Sequence, residues 1–124
     1  MQTRGRHLIL DFWGCQAAAL NDAVRLEAVL RECALATGAS VVGAMMHAFA
    51  PQGVTGVLLL EESHVSIHTW PERGYAAVDF YTCGSGDPEK SKAILTKALS
   101  ATSCEVRLLA RGIAPVVSPV AHSQ

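Results

Sequence analysis

The sequence predicts an α+β fold in which an antiparallel β-sheet carries two helices on one of its faces. Several segments alternate between apolar and polar residues, a pattern typical of strands that are covered on one side only. Two longer segments have the residue spacing of amphipathic helices. Because two helices cannot cover both faces of a wide sheet, the order β-α-β-β-β-β-α-β indicates a two-layer sandwich with one open sheet face.

The chain is predicted to begin with a strand and a helix. Residues 7–13 alternate between apolar side chains and polar or aromatic ones, as on a half-covered strand. A helix is predicted over 22–36, where apolar residues recur at helical spacing. Asn21 is the predicted N-cap and Gly38 the predicted stop, because these residue types are favoured at those positions.

Four strands are predicted in the middle of the chain. They cover residues 39–49, 54–60, 65–70 and 75–83. The first two are separated by Pro-Gln-Gly at 51–53, which is a turn signal, and the third ends before Pro71.

A second helix and a last strand complete the predicted domain. Asp87 is the predicted cap of this helix, with Pro88 at its first position. Four residues are predicted to face the sheet: Ile94, Leu95, Ala98 and Leu99. A strand follows at 105–109, and residues 112–124, rich in proline and small residues, are predicted to form a loose tail.

Composition excludes several classes of function. With 124 residues, half of them apolar, the chain is expected to form one domain with a substantial core. The net charge of −1 argues against nucleic-acid binding, and no apolar run reaches the roughly 18 residues that span a bilayer. No N-terminal signal sequence is recognised.

Neither a disulfide framework nor a metal site is predicted. The four cysteines, at 15, 33, 83 and 104, form no CxxC pair, which favours free thiols in a reducing, cytoplasmic setting. His64 and His68 share a strand face, but residues four apart on a strand are separated by about 13 Å and cannot bind one ion.

Strand alternation also indicates which side chains share the open face. Polar and aromatic residues are predicted to lie together there: His7, Asp11, Trp13, His64, Ser66, His68, Trp70, Asp79, Tyr81 and Cys83. A face this rich in aromatic and imidazole groups favours burial against a second copy of the chain, so a homodimer is predicted.

Residues 60–83, LEESHVSIHTWPERGYAAVDFYTC, concentrate groups that can carry out covalent chemistry. Ser63 can supply a nucleophile, His68 a base and Cys83 a proton donor. Because Ser63 and His68 are five residues apart, they would point to opposite faces of a flat strand, and cooperation requires a break in the strand at Ser63. Spacing alone favours the simpler alternative, a plain turn at 61–63 that leads into a strand.

From about Gly5 to about Arg111, and most densely at ESHVSIHTWPE, the sequence resembles the short, self-processing, pyruvoyl-dependent S-adenosylmethionine decarboxylases of prokaryotes. The resemblance implies that Ser63 attacks the carbonyl of Glu62. The chain would then be cut into a β chain of residues 1–62 and an α chain of residues 63–124, with a pyruvoyl group replacing Ser63. That group would form a Schiff base with the substrate and serve as the electron sink for decarboxylation.

The same resemblance assigns roles to five further residues. His68 would take the serine α-proton during processing, and Thr55 would help to hold the ester intermediate. Cys83 would return a proton after decarboxylation. Phe49 would stack on the adenine near the sulfonium, and Glu72 would bind the ribose hydroxyls.

The implied reaction converts S-adenosyl-L-methionine to S-adenosylmethioninamine, the aminopropyl donor for spermidine, with no diamine activator expected. Ala48 and Arg73 depart from residues that are frequent in the family, and they leave the substrate open. The alternative is an arginine or ornithine decarboxylase with the same pyruvoyl group, in which Asp11 or Glu72 binds the cationic end. A non-catalytic paralogue is disfavoured because the serine, histidine and cysteine of the motif are all present.

Overall fold

The computed structural model describes residues 3–83, 87 and 89–115. Among these residues, six strands form one sheet in the order β2-β3-β4-β5-β1-β6, and every neighbouring pair is antiparallel. Their bounds are β1 Gly5–Trp13, β2 Val41–Ala48, β3 Val54–Leu60, β4 Ser63–Trp70, β5 Tyr75–Cys83 and β6 Ser103–Arg111. The predicted fold class and order of major elements are therefore confirmed.

Within the described ranges, three α-helices and one 3-10 helix accompany the sheet. The longer helices, α2 Ala23–Ala36 and α3 Lys90–Leu99, were expected from their periodicity. Helix α1 Ala17–Leu20 and the 3-10 helix Pro71–Arg73 were not, because elements of one turn are too short to show a repeating apolar pattern.

One hydrophobic core lies between the sheet and the two longer helices. Alternate residues of four strands and the apolar stripes of α2 and α3 meet in a single cluster of buried side chains. Its largest fully buried members are Leu8, Leu10, Phe12, Leu20, Leu26, Leu30, Val54, Leu58, Ile67, Phe80, Leu95 and Leu99. Burial of each of these side chains stabilises the fold by about 1.5–3 kcal/mol. Both helices lie on the same sheet face because the apolar strand side chains project from that face.

The predicted cap of α2 is wrong by one residue. Asp22 is the N-cap, and its carboxylate accepts a hydrogen bond from the Arg25 amide at 3.1 Å. Asn21 instead accepts from the Gly53 amide at 2.9 Å, which connects the β2–β3 turn to the helical layer. Asparagine and aspartate are similarly good caps, so neighbouring candidates cannot be separated by residue type. Gly38 follows the helix at φ 78°, as predicted for a stop.

The predicted cap of α3 is also displaced. The N-cap is Glu89, which forms no side-chain capping hydrogen bond. Asp87 accepts a hydrogen bond from the Glu89 amide at 3.0 Å, before the first helical residue. Pro88 and residues 116–124 of the predicted tail lie outside the described residues, and residues 112–115 are exposed and belong to no helix or strand.

The bounds of four strands differ from the prediction. Strand β1 begins at Gly5 instead of residue 7, and β4 begins at Ser63 instead of residue 65. Strand β2 is shorter than 39–49, and β6 extends beyond 105–109 at both ends. Backbone pairing, and not side-chain alternation, sets these ends. In the described part of the chain, no helix is long and apolar enough to cross a bilayer.

Candidate functional site

Ser63 lies at a sharp turn between two paired strands. Leu60 of β3 pairs with Ser63, the first residue of β4, so only Glu61 and Glu62 make the connection. Glu62 has φ 60°, in the left-handed region, which costs a residue with a side chain about 1–3 kcal/mol. Ser63 therefore begins a strand directly after a turn, as in the simpler alternative considered from the sequence, and the turn contains a left-handed residue immediately before Ser63.

The Cys83 thiol contacts the peptide group at this turn. Cys83 ends β5 beside Glu62, and its Sγ donates a hydrogen bond to the Glu62 carbonyl oxygen at 3.3 Å. The Ser63 hydroxyl donates to the Glu61 carbonyl oxygen, also at 3.3 Å. These groups line a pocket of about 520 Å³ together with Thr82 and residues 37–40. A nucleophile, a carbonyl and a thiol are therefore gathered at one end of the sheet.

His68 and Thr55 lie at the opposite end of the same strands. Thr55 Oγ1 and His68 Nδ1 are joined by a hydrogen bond of 3.1 Å, and the two residues are register partners. Five residues along a strand separate Ser63 from His68 by about 16 Å. Strand β5 pairs with β4, but His68 pairs with Ala77, so His68 and Cys83 share the open face without lying near each other.

The two predicted substrate contacts lie at the Thr55 end of the sheet. Phe49 follows β2, is half exposed, and meets the His47 ring edge-to-face at 4.5 Å. Its amide donates to the Gly53 carbonyl oxygen at 2.8 Å, near the start of β3. Glu72 is exposed in the 3-10 helix after β4. No ion pair joins Glu72 to Arg73 within the described residues.

A hydrogen-bonded cluster of polar residues, which were predicted to share the open face, occupies the middle of that face. The Asp79 carboxylate accepts hydrogen bonds from His7 Nε2 at 2.6 Å, from His64 Nε2 at 3.1 Å and from the Ser66 hydroxyl. Arg111 Nη1 donates to His7 Nδ1 at 3.1 Å. Burial acts to raise the pKa of Asp79, but the hydrogen bonds from Ser66, His7 and His64 lower it below its usual value. Only the strand register could have predicted this convergence.

The cluster contains the residue types of a metal site, but its hydrogen bonds place a proton where a metal ion would bind. One ligand atom each from His7, His64 and Asp79 lies within 4.8 Å of the others. Arginine has only donors, so Arg111 makes His7 Nδ1 an acceptor and leaves the proton of a neutral imidazole on Nε2, facing Asp79. A metal-bound histidine would need the reverse arrangement, with its second nitrogen donating to an acceptor.

A row of stacked aromatic rings crosses the open face near His68. Tyr75 stacks on Trp13 at 4.3 Å and on Trp70 at 5.2 Å between centroids. The Tyr75 hydroxyl donates to Asp11. Burial, followed by the interaction with Asp11, raises the pKa of Tyr75 to about 12. Trp13 and Trp70 remain 43% and 39% exposed, so this row is an exposed apolar patch of the kind that mediates protein–protein contacts.

The chain is similar to proteins of one enzyme family. A family model described as S-adenosylmethionine decarboxylase matches residues 6–112. The S-adenosylmethionine decarboxylase proenzyme 2 of Halalkalibacterium halodurans is 46% identical, over 94% of this chain and 92% of that protein. The S-adenosylmethionine decarboxylase proenzyme of Methanococcus maripaludis is 46% identical, over 91% of this chain and 93% of its own. The crystal structure of the adenosylmethionine decarboxylase from Aquifex aeolicus has a TM-score of 0.81 at 31% identity, covering 95% of this chain and 98% of that one.

Proposed function

The chain belongs to the S-adenosylmethionine decarboxylase family, and we propose on this premise that it removes carbon dioxide from S-adenosylmethionine to give S-adenosylmethioninamine. Relatives over more than nine tenths of the chain are named as proenzymes, so the precursor is processed before it acts. The basic amino acids considered as alternative substrates have no support among these relatives.

Self-cleavage is assigned to the peptide bond between Glu62 and Ser63. The observation that carries this assignment is the 3.3 Å hydrogen bond from the Cys83 thiol to the Glu62 carbonyl oxygen. When Ser63 Oγ attacks the Glu62 carbonyl carbon, negative charge develops on that oxygen, and a donor already in place stabilises it. The left-handed backbone of Glu62 raises the free energy of the uncut turn. The C–N bond then breaks and the amide becomes an ester, and elimination at Ser63 releases residues 1–62 with a free carboxylate. Water replaces the amine of residue 63, which leaves as ammonia, so residues 63–124 begin with a pyruvoyl group.

Ser63 is the residue that would carry the pyruvoyl group. Its hydroxyl faces the turn, and the pocket there leaves room for a small substrate group. Once formed from Ser63, a pyruvoyl group supplies a ketone beside an amide carbonyl. This conjugated pair takes up the electron pair that is left as carbon dioxide departs. Cys83, at the same end of the sheet, holds the proton that replaces the lost carboxyl group.

Each complete site is assembled from two copies of the chain. Thr55, His68, Phe49 and Glu72 lie at one end of the sheet, while Ser63 and Cys83 lie at the other. A twofold axis between two open faces lays the Thr55 end of each copy on the Ser63 end of its partner, giving two equivalent sites. His68 of the partner subunit then serves as the processing base, and the partner's Phe49 and the partner's Glu72 bind substrate.

Mixing two inactive variants tests this arrangement. Ser63→Ala and His68→Ala chains, each alone, should stay uncut. When the two are co-expressed with different tags, the His68→Ala chain should be cut, because its Ser63 meets the intact His68 of the partner subunit. Absence of cleavage in mixed dimers that are shown to form by tag pull-down would overturn the composite site. Thermal melting of each variant controls for misfolding.

Mass spectrometry and a decarboxylation assay test the function itself. The two fragments have equal residue numbers, so intact mass separates them better than gel mobility. The second fragment should begin with a ketone in place of the Ser63 amine, and sodium borohydride should add hydrogen to it. Labelled carbon dioxide should be released from carboxyl-labelled S-adenosylmethionine. Release from arginine or ornithine instead would replace the proposed substrate.

A further inference from the structure

Tyr81 is contacted on three sides on the open face. Its ring stacks on His64 with 6.2 Å between centroids and meets His7 edge-to-face at 5.4 Å. The Arg111 guanidinium lies over the ring, 5.7 Å from its centroid. His7 and His64 are themselves bonded to Asp79, so the polar cluster fixes the ring as well as its own members.

The phenol end of Tyr81 points along the sheet toward Cys83. A Cβ built on Gly5 would lie 2.6 Å from the Tyr81 hydroxyl oxygen, so that hydroxyl occupies the space where a side chain at Gly5 would be. Gly5 is the register partner of Cys83. Side chains at such opposed positions have Cβ atoms about 4.5–5.5 Å apart. The hydroxyl therefore faces the Cys83 side chain across the strand pair.

The Tyr81 hydroxyl has no other role in the described part of the chain. Its ring makes the three contacts above, whereas its oxygen forms no hydrogen bond with residues 3–83, 87 or 89–115. The three ring contacts orient the Tyr81 hydroxyl, and Gly5 has no side chain to block it. The hydroxyl therefore loses little conformational entropy when it forms a hydrogen bond.

We propose that Tyr81 is a positioning residue for Cys83, with its hydroxyl donating a hydrogen bond to the cysteine sulfur once the chain is cut. This inference rests on the proposed role of Cys83 as the proton donor. In the uncut chain the thiol is engaged with the Glu62 carbonyl oxygen, and cleavage releases it from that peptide. A donor at the sulfur then stabilises the thiolate that remains when Cys83 gives up its proton.

Tyr81→Phe tests the proposal by removing a single oxygen while keeping the ring. The rate of Cys83 alkylation is measured against pH in the cut enzyme, resolved from the other cysteines by peptide mass spectrometry. We expect the midpoint of the profile to move up by about 0.5–1 pH unit, because the thiolate loses a donor. We also expect kcat to fall about 3–10-fold with little change in KM. An unchanged alkylation profile would overturn the proposal.

Gly5→Ala provides a second test from the neighbouring strand. An added Cβ must displace the Tyr81 hydroxyl, so this variant should reproduce the alkylation profile of Tyr81→Phe. Gly43→Ala is the matched control, because a Cβ there meets nothing within 4 Å, and its profile should equal that of the unaltered enzyme. A Gly5→Ala profile that equals this control contradicts the proposal.

Failure of this inference can be distinguished from failure of the proposed function. Cleavage between Glu62 and Ser63 is scored by intact mass in the same samples, and Tyr81→Phe should leave its rate within about twofold. Intact chains in the unaltered protein would contradict the proposed function. Normal cleavage with an unaltered Cys83 profile in Tyr81→Phe would contradict only the role of Tyr81.

Discussion

Asp79 accepts three hydrogen bonds and joins strands β1, β4 and β5 on the open face. Replacement of its charge affects several partners at once, since a partly buried imidazole or hydroxyl that loses its acceptor must find another. Because its pKa is lowered in the folded chain, the ionised carboxylate contributes stability at neutral pH. That contribution disappears as pH falls through the lowered pKa.

The Asp79→Asn variant should show this dependence directly. At pH 7 we expect it to be less stable than the unaltered chain by about 1–3 kcal/mol. The difference should be present above the ordinary carboxyl pKa of 3.8 and should shrink as pH falls below that value. Denaturant unfolding at several pH values, in a Ser63→Ala background to keep the chain intact, measures it. A difference that stays constant down to pH 2 would contradict the assigned pKa shift.

Phe49 is proposed to contact the substrate near its sulfonium. An aromatic face contributes roughly 0.5–2 kcal/mol to binding of a nearby cation, and the substrate carries a sulfonium. We therefore expect Phe49→Leu to raise KM about 2–30-fold with kcat little changed, as measured by steady-state carbon dioxide release. Self-cleavage involves no substrate and should proceed normally. A fall in kcat with unchanged KM would contradict the assignment of Phe49 as a substrate contact.

At the scale of elements, helix α3 ends in an unfavourable backbone conformation. Its C-cap, Ser100, has φ 52° and ψ 42°, where glycine is free of the steric cost that a Cβ imposes. The same left-handed geometry occurs at Glu62, where it belongs to the turn that is proposed to be cut. The helix end has no such role, so its strain can be removed without touching the site.

Ser100→Gly should therefore stabilise the protein by up to about 1 kcal/mol, because the steric cost of about 1–2 kcal/mol is partly offset by the greater conformational entropy of glycine in the unfolded chain. Lys97→Gly is the control, since glycine within a helix is unfavourable by about 1 kcal/mol relative to good helix formers. Chemical denaturation of both variants in the Ser63→Ala background shows whether each substitution raises or lowers the free energy of unfolding. Destabilisation by Ser100→Gly would indicate that its side chain makes a contact that outweighs the strain.

At the scale of the whole molecule, one sheet face is covered by helices and the other carries the proposed site. The open face exposes aromatic and apolar side chains next to the polar cluster: Trp13, Met45, Val57, Leu59 and Trp70. Such a surface suits association with an identical face, and the separation of Ser63 from His68 provides a catalytic reason for it.

Two valine substitutions on opposite layers test the dimer. Val57→Glu places a charge on the open face opposite Ser66, whereas Val24→Glu places it on helix α2 at a site that is 84% exposed. We expect Val57→Glu to yield monomers in analytical ultracentrifugation and to stop self-cleavage, since neither site is complete. Val24→Glu should remain dimeric and be cut. A cleaved monomer would contradict the composite site.

Much of the fold could be predicted because it depends on local patterns. Strands 54–60 and 75–83 agree with the structure in both bounds, since their alternation is strong and turn residues flank them. The N-caps of both longer helices lie one or two residues after the predicted positions, because nearby acidic or amide residues are also suited to capping. The family resemblance at ESHVSIHTWPE is confirmed by the family match over residues 6–112.

The sequence by itself determined the strands and helices, the face of each strand that is buried, and the residues able to act as nucleophile, base and thiol. Tertiary structure decided which of these meet. Side-chain alternation has a period of two and reports a face, but it carries no information about position along a neighbouring strand. The two-residue turn before Ser63 sets the register that pairs Thr55 with His68 at the far end of the strands. The connection at residues 71–74, which pairs Trp70 with Tyr75, sets the register that places Cys83 at the Glu62 carbonyl.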